Sequence, residues 1–274
     1  MRVLITGASR GIGRAIATRF AERYGSDLIV GLLARSGNRP VHASLQGSLR
    51  DVAQDVSSWY GSVAFQLPTD LRDTSSVRAS IAHFLDAAGG IDVLVNNASA
   101  LVPNHRKQVE DKSMSRLYEV NTRGTMVCLD ACRAALAEGG TGSIVTVSPP
   151  IRLGRLDWLR TYGVPYTISK YSMTLATLAE ARTDGVRANC IWPRHTITTA
   201  ATERLERIGI VPNAHSHGRD ATLLADAVVR LAVDDTDRNA ECVFDDDVVP
   251  SLPTSDAPLD AYAETRPDPI MRRN

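Results

Sequence analysis

A short apolar run followed by closely spaced glycines constrains this chain more than any other feature. Residues 3–6 read as a strand, and residues 12–20 carry apolar side chains at helical spacing. Between and within these two runs stand Gly7, Gly11 and Gly13. Glycine permits a tight turn and close packing of helix against strand. A strand, a glycine turn and a helix in this order predict the first βα unit of a parallel sheet.

The alternation of strand and helix patterns continues along most of the chain. Further strands are predicted over 28–34, 63–67, 91–95, 143–147, 187–191 and 242–244, and helices over 49–59, 77–85, 113–138, 166–182 and 223–231. This order predicts an α/β fold with a doubly wound parallel sheet of about seven strands flanked by helices, with ligands bound at the carboxyl ends of the strands. We expect a single domain over 1–249 and a C-terminal arm, rich in Pro and Asp, over 250–274.

Composition narrows the classes of partner. The chain has 31 basic and 31 acidic residues, so its charge does not favour binding to nucleic acid or to an anionic membrane. No apolar run approaches the ~20 residues of a membrane span, and a strand at the N-terminus leaves no room for a signal peptide. Four scattered cysteines predict buried thiols in a reducing cytoplasm and no metal site. The sequence therefore predicts a cytoplasmic protein.

The glycine turn offers a site for a pyrophosphate. A helix N-terminus supplies backbone donors and partial positive charge, and glycines let phosphate oxygens approach the backbone. The residues predicted to line this part of a dinucleotide are Gly7, Ser9, Arg10, Gly11, Ile12 and Gly13. A purely structural glycine turn is the alternative.

The ends of the next strands predict the choice of dinucleotide. Arg35 stands where an acidic residue would accept hydrogen bonds from the ribose hydroxyls of NAD, and Arg10 lies in the glycine turn. Two guanidinium groups there favour a 2′-phosphate, hence NADP(H) over NAD(H), unless both are ordinary surface arginines. Asp70 is predicted to accept a hydrogen bond from the adenine amino group, although solvation also explains an Asp there. Asn97 and Ala98 are predicted to line the cofactor, with a local turn as the alternative.

A tyrosine and a lysine stand four residues apart at the start of a predicted helix. Tyr166 and Lys170 therefore share a helix face, and Lys170 is one of only three lysines in the chain. A phenol has a pKa of about 10, and a nearby ammonium group stabilises its anion. Such a tyrosine can take the proton of an alcohol as hydride leaves, or return it to a reduced carbonyl. Chance spacing is the alternative.

Three motifs in this order resemble the classical short-chain dehydrogenases/reductases over about residues 1–245. The motifs are Thr-Gly-x-x-x-Gly-x-Gly, Asn-Asn-Ala and Tyr-x-x-x-Lys. Within the family the chain particularly resembles the hydroxysteroid dehydrogenase-like protein 2 group, as indicated by residues 120–125, 147–150, 166–171 and 191–193. The resemblance implies a Rossmann fold. We expect no counterpart here of the C-terminal lipid-carrier domain of longer members.

The resemblance also implies roles for single residues. Tyr166 would be the proton donor and acceptor, and Lys170 would bind the nicotinamide ribose. Asn121 would hold a water that extends a proton relay, unless it only kinks its helix. Thr198, with Thr199 as second choice, would hold the nicotinamide carboxamide.

Two positions depart from the family pattern. Arg194 replaces the usual glycine after Pro193, so the following loop is expected to take another path. Pro149 stands where the family has its catalytic serine. Ser148 is then the candidate for that role, unless another group polarises the carbonyl. Losing such a donor costs about 10²–10³ in turnover.

The resemblance implies substrate loops over 149–165 and 194–219. The first loop carries apolar side chains that favour an apolar substrate body, or that pack against the domain or a second subunit. We expect an oxidoreductase that transfers hydride between NADP(H) and a small-molecule secondary alcohol or ketone. The alternative is a dinucleotide-binding sensor or scaffold with weak turnover; a sugar-nucleotide epimerase is disfavoured because no large C-terminal substrate domain is predicted. Family analogy implies a homodimer or homotetramer.

Overall fold

The computed structural model describes residues 1–40, 46–102, 110–151, 163–207, 209 and 218–249. Most of both predicted substrate loops and the predicted C-terminal arm lie outside these residues. The domain limits therefore stay predictions.

The described residues form one seven-stranded parallel sheet in the order β3-β2-β1-β4-β5-β6-β7. Its strands are β1 Arg2–Thr6, β2 Ile29–Ala34, β3 Val63–Pro68, β4 Val93–Asn96, β5 Gly142–Val147, β6 Val186–Trp192 and β7 Cys242–Phe244. The order reverses at β1 and β4, whose carboxyl ends open a crevice for ligands. The predicted doubly wound α/β fold is confirmed.

Helices cover both faces of this sheet. They are α1 Gly11–Tyr24, α2 Leu49–Tyr60, α3 Thr74–Ala88, α4 Asp111–Leu117, α5 Gly124–Glu138, α6 Val164–Glu180, α7 Ala200–Arg207, α8 Ala221–Val233 and α9 Asp245–Val248, with a 3₁₀ turn at Gly25–Asp27. The strand side chains divide between two apolar clusters, one packed with α1, α2 and α8 and the other with α3 and α5. Because the strands are buried on both faces, their sequences are continuous apolar runs rather than an alternation of apolar and polar residues.

Local capping explains where several helices begin and end. Ser48 accepts a hydrogen bond from Asp51 N, and the Asp51 side chain accepts one from Ser48 N, which is a capping box at the start of α2. Asp73 and Asp220 cap α3 and α8 by a single bond each, which they accept from Ser76 N and Thr222 N. Gly61, with φ of 74°, ends α2 in the left-handed conformation that suits glycine.

One predicted helix has a different internal geometry. The pattern over 113–138 predicts one long α-helix, but a π-helical turn at Tyr118–Arg123 separates α4 from α5. Hydrophobic periodicity does not distinguish one π turn from a continuous α-helix. Such turns often mark functional sites, and this one carries Asn121.

The structure tests two expectations from composition, namely buried cysteine thiols and the lack of a membrane-spanning segment among the described helices. Cys128, Cys132 and Cys190 are buried as predicted, whereas Cys242 is only half-buried. Burial raises the pKa of Cys128 to about 12, so this thiol stays neutral. Among the described helices, none has both the length and the apolar character that a bilayer crossing requires.

Candidate active site

The glycine turn between β1 and α1 leaves room for a phosphate group. Gly7 and Gly11 have φ of +70° and +52°. A Cβ on Gly13 would collide with the Gly7 carbonyl oxygen and lie 2.6 Å from Asn97 Nδ2. Arg10 precedes α1, and its side chain does not cap the first backbone donors of the helix. The turn therefore fits the pyrophosphate of a dinucleotide.

The end of β4 braces this turn from the side. The Asn97 side-chain amide donates to Thr6 O at 2.9 Å and to Gly7 O at 3.3 Å. The Thr6 hydroxyl accepts from the backbone N–H groups of Asn97 and Ala98 at 3.1 and 3.0 Å. Asn97 thus holds the predicted phosphate loop in shape. Ser9 is buried, and Ile12 packs against the apolar core.

Arginines gather at the end of the crevice where the adenosine is expected. Burial and, second, repulsion from Arg35 lower the pKa of Arg10. Burial followed by repulsion from Arg35 and Arg72 likewise lowers the pKa of Arg116 on α4. Among the described residues, neither Arg10 nor Arg35 forms an ion pair with a carboxylate. This region carries an excess of positive charge.

Asp70, the predicted partner of adenine, is already paired. Arg72 donates to its two carboxylate oxygens from Nε at 3.1 and 3.0 Å, and from Nη2 at 2.7 Å. Burial opposes the charge of Asp70, but these hydrogen bonds outweigh it and lower the pKa of the carboxyl group. Any contact between Asp70 and an adenine amino group has to coexist with this ion pair.

Tyr166 and Lys170 lie one turn apart near the start of α6, and both are buried, at 8% and 2% exposure. Gly163, with φ of 83°, leads the chain into the helix, and Pro165 occupies its first turn. The helical spacing thus puts the phenol and the amine on the inward side of α6, as the sequence predicts.

The surroundings of Lys170 are mostly apolar. Its Nζ donates to Val147 O at 2.6 Å and lies 5.3 Å from the centre of the Trp192 ring. Burial lowers the pKa of Lys170 to about 7, because the charged amine loses its hydration. No role is predicted for Trp192 from the sequence. Its signal is an aromatic residue that directly follows the strand predicted over 187–191, at the edge of the sheet where ligands are expected.

Asn121 occupies the π-helical turn and is fully buried. Its Oδ1 accepts from Ala100 N at 2.6 Å, and its Nδ2 donates to Ala100 O at 3.0 Å. The same Nδ2 donates to Ser169 Oγ at 2.9 Å, and Ser169 Oγ donates to Tyr166 O at 2.7 Å. A chain of hydrogen bonds therefore joins the end of β4, the π turn and the start of α6. Asn121 ties together the three segments that surround Tyr166.

Ser148 follows β5, but its hydroxyl is used inside the protein. The residue is fully buried, and Thr174 Oγ1 donates to Ser148 Oγ at 3.0 Å and to Pro149 O at 2.8 Å. Thr174 lies two helical turns beyond Tyr166, so these hydrogen bonds anchor the end of β5 to α6, with Ser148 Oγ as the acceptor.

The two threonine candidates after β6 have different roles. Thr199 begins α7, where its Oγ1 accepts from Thr202 N at 3.2 Å, and its methyl group faces the glycine turn at Gly11. Thr198 lies just before, in a short parallel bridge, where its N–H donates to Arg219 O at 2.8 Å. Thr199 caps the helix, and Thr198 as carboxamide ligand stays a prediction.

Comparisons with known proteins agree with this geometry. Residues 1–208 match the family model described as short chain dehydrogenase. Hydroxysteroid dehydrogenase-like protein 2 of Xenopus laevis is 31% identical over 98% of this chain and 62% of its own length. The human protein of the same name is 34% identical over 84% of this chain and 52% of its own. The chain thus spans between half and two thirds of these relatives' lengths.

Solved structures share the fold. A short chain dehydrogenase from Mycobacterium thermoresistibile superposes with a TM-score of 0.77 at 33% identity, covering 90% of this chain and 85% of that one. Two more distant neighbours, each 22% identical, carry nucleotides: one from Mycobacterium paratuberculosis is bound to NAD, with a TM-score of 0.69 over 89% of this chain and 95% of that one. The other, an alcohol dehydrogenase from Thermococcus sibiricus, is complexed with 5-hydroxy-NADP, with a TM-score of 0.70 over 89% and 94%.

Proposed function

Because this chain belongs to the short-chain dehydrogenase family, we propose that it is an oxidoreductase that moves hydride between NADP(H) and a secondary alcohol or its ketone. The observation that carries the proposal is the buried pair Tyr166 and Lys170 on one face of α6, at the end of a crevice that begins with the glycine turn. An apolar substrate body is proposed from the side chains of the 149–165 loop.

The residues at the crevice fit a dinucleotide in a defined orientation. The turn at Gly7–Gly13 accepts the pyrophosphate, Arg10 and Arg35 face the adenosine ribose, and Thr198 and Lys170 hold the nicotinamide end. When bound, the nicotinamide accepts a hydride from the alcohol carbon or gives one to the carbonyl carbon.

Proton transfer falls to the residues of α6. Tyr166 takes the hydroxyl proton as hydride leaves the alcohol, and returns it in the reverse direction. A protonated Lys170 stabilises the phenolate, and with a pKa of about 7 the amine gains its proton more readily beside an anionic dinucleotide. Asn121 keeps the π turn against Ala100 and Ser169, which supports a water-filled relay from Lys170.

Replacement of Tyr166 by phenylalanine tests the proton transfer. We expect NADPH oxidation by apolar ketones to fall at least 100-fold, while the dissociation constant of NADPH changes less than threefold, since the ring remains and only the hydroxyl is lost. Tyr171→Phe is the matched control, because this half-buried tyrosine lies on the same helix. Equal turnover in wild type and Tyr166→Phe would refute the assignment.

The preference for NADP(H) is proposed from the arginines. Repulsion from Arg35 acts on both Arg10 and Arg116, and a bound dianion would offset this repulsion. We expect wild type to bind NADPH at least tenfold more tightly than NADH, and Arg35→Ala to lose this difference, with Arg50→Ala on exposed α2 as control. An unchanged ratio in Arg35→Ala would refute the role of Arg35.

The surroundings of Ser148 favour a second candidate function. Its hydroxyl is buried and bound to Thr174, and Pro149 follows it, which favours a dinucleotide-binding protein with weak turnover. Tight NADPH binding without oxidation across a panel of ketones and alcohols would favour this sensor or scaffold role. Measurable turnover would favour the enzyme.

We also propose a homodimer or homotetramer. Large apolar side chains stand exposed on the π turn, α5 and α6, namely Tyr118 at 56%, Met126 at 45%, Ile168 at 58% and Leu175 at 60%. Light scattering after size exclusion tests this. Leu175→Glu is expected to reduce the mass, and a monomeric wild type would contradict the proposal.

A further inference from the structure

The segment that carries Thr198 is tied to the far edge of the sheet. Arg219 N donates to Thr196 O, and Thr198 N donates to Arg219 O, both at 2.8 Å. These two bonds and the parallel pairing of Ile197 with Arg219 fix the backbone on either side of Ile197. The position of Thr198 therefore depends on where Arg219 is held.

One carboxylate holds Arg219. Arg219 Nη1 donates to Asp246 Oδ1 at 2.8 Å, and Asp246 belongs to α9, directly after the edge strand β7. The side chains of Asp246 and Arg219 are only 12% and 22% exposed. A charge-assisted hydrogen bond with so little exposure is screened less than a surface pair.

The same carboxylate holds the residue that replaces the family's glycine. Arg194 Nε lies 3.3 Å from Asp246 Oδ2, and Arg194 Nη2 lies 2.8 Å from Asp247 Oδ1. The Arg194 guanidinium stacks 4.3 Å from the centre of the Phe244 ring, and its backbone N–H donates to Asp245 Oδ1 at 2.8 Å. Both ends of the path from β6 to Thr198 are thus fastened to α9.

We propose that Asp246 is a positioning residue for the nicotinamide end of the crevice, because it clamps Arg194 and Arg219 and so places Thr198. The inference rests on the proposed dinucleotide function. Without the negative charge, two guanidinium groups facing one small region repel each other, and the bridge that holds Thr198 loses its anchor. The ion pairs of Asp246 with Arg194 and Arg219 do not include Arg10 or Arg35, so we expect the adenosine end to change less than the nicotinamide end.

The test compares a whole dinucleotide with its adenosine half. Calorimetry measures the dissociation constants of NADPH and of 2′,5′-ADP for wild type, Asp246→Asn and Asp246→Glu. We expect Asp246→Asn to weaken NADPH about tenfold, which corresponds to about 1.4 kcal/mol, with 2′,5′-ADP changed less than twofold. Asp246→Glu restores the charge and should recover most of the NADPH affinity. If wild type binds NADH more tightly than NADPH, NADH replaces NADPH and ADP replaces 2′,5′-ADP in this comparison.

A matched control separates the clamp from general stability. Asp235 is also flanked by two arginines, Arg230 at 3.4 Å and Arg238 at 3.5 Å, and its side chain is 18% exposed. Asp235→Asn should leave both dissociation constants unchanged. The inference about Asp246 alone is overturned if Asp246→Asn weakens the binding of NADPH and of 2′,5′-ADP equally, or weakens neither. A wild-type chain that binds neither dinucleotide overturns the proposed function and the inference together.

Discussion

Replacing Lys170 by methionine should remove a defined pH dependence from the stability of the protein without nucleotide. Burial lowers the pKa of Lys170 to about 7, whereas in the unfolded chain the amine has a pKa of about 10.4. Below pH 7 the amine is protonated in both states, and the folded state bears the full cost of a buried charge. Between about pH 7 and 10.4 the unfolded chain binds one more proton, so stability rises with pH in this window.

The size of the effect follows from the two pKa values. One proton contributes about 1.36 kcal/mol per pH unit, so this amine alone raises the free energy of unfolding by about 2.5 kcal/mol between pH 6 and pH 9. Methionine keeps the length of the side chain and removes the charge. The lost hydrogen bond to Val147 O adds an offset that does not change with pH. Burial raises the pKa of Cys190 well above its usual range, so this neighbouring thiol stays protonated in the folded state, and its titration in the unfolded chain is common to wild type and variant.

Urea unfolding followed by circular dichroism gives the measurement. The difference between wild type and Lys170→Met, taken at several values between pH 6 and pH 9, cancels the titration of all other groups. Lys112→Met, at an exposed lysine of α4, should show no such trend. A difference that changes by less than about 1 kcal/mol over this range would mean that the amine keeps its proton in the folded state, and the reasoning about its burial would fail.

Three further substitutions test other parts of the structure. Gly13→Ala should abolish NADPH binding in calorimetry and lower the melting temperature, because its Cβ would lie 2.6 Å from Asn97 Nδ2. Gly139→Ala is the control, since a Cβ there meets nothing within 4 Å, and it should leave both quantities unchanged. Ser148→Ala should keep the turnover number within threefold of wild type and lower the free energy of unfolding in urea by about 1 kcal/mol. A 100-fold loss of turnover would instead identify Ser148 as the donor that polarises the carbonyl. Glu180→Gln should cost about 1–2 kcal/mol in the same assay, because it removes the charge and one of the two oxygens that accept from Arg133 at 2.7 Å. A cost as small as that of the exposed Asp130→Asn would contradict this.

The fold could be predicted from the sequence because its signals are local. Each strand is a short apolar run, and each helix has its own apolar face, so periodicity places them without knowledge of their neighbours. The shape of the glycine turn follows from conformations at Gly7 and Gly11 that other residues rarely adopt. The shared face of Tyr166 and Lys170 follows from helical spacing alone.

Partners far apart in the sequence could not be predicted in this way. The hydroxyl of Ser148 meets Thr174, 26 residues away, and Asn121 meets Ala100, 21 residues away. The spacing of residues 113–138 carries no sign of the π turn that directs Asn121 to these partners. Asp246 has no sequence motif that links it to Arg194, 52 residues earlier.

Spacing along the chain therefore determined the sheet, the phosphate turn and the shared face of phenol and amine, because each depends on neighbours within a few residues. Only the tertiary structure decided which hydroxyl groups form hydrogen bonds inside the protein, how little water reaches the Lys170 amine, and which contacts hold the segment of Thr198 in place. The physical reason is that hydration, hydrogen-bond partners and ion pairs of a buried side chain are set by elements that meet only when the sheet is assembled.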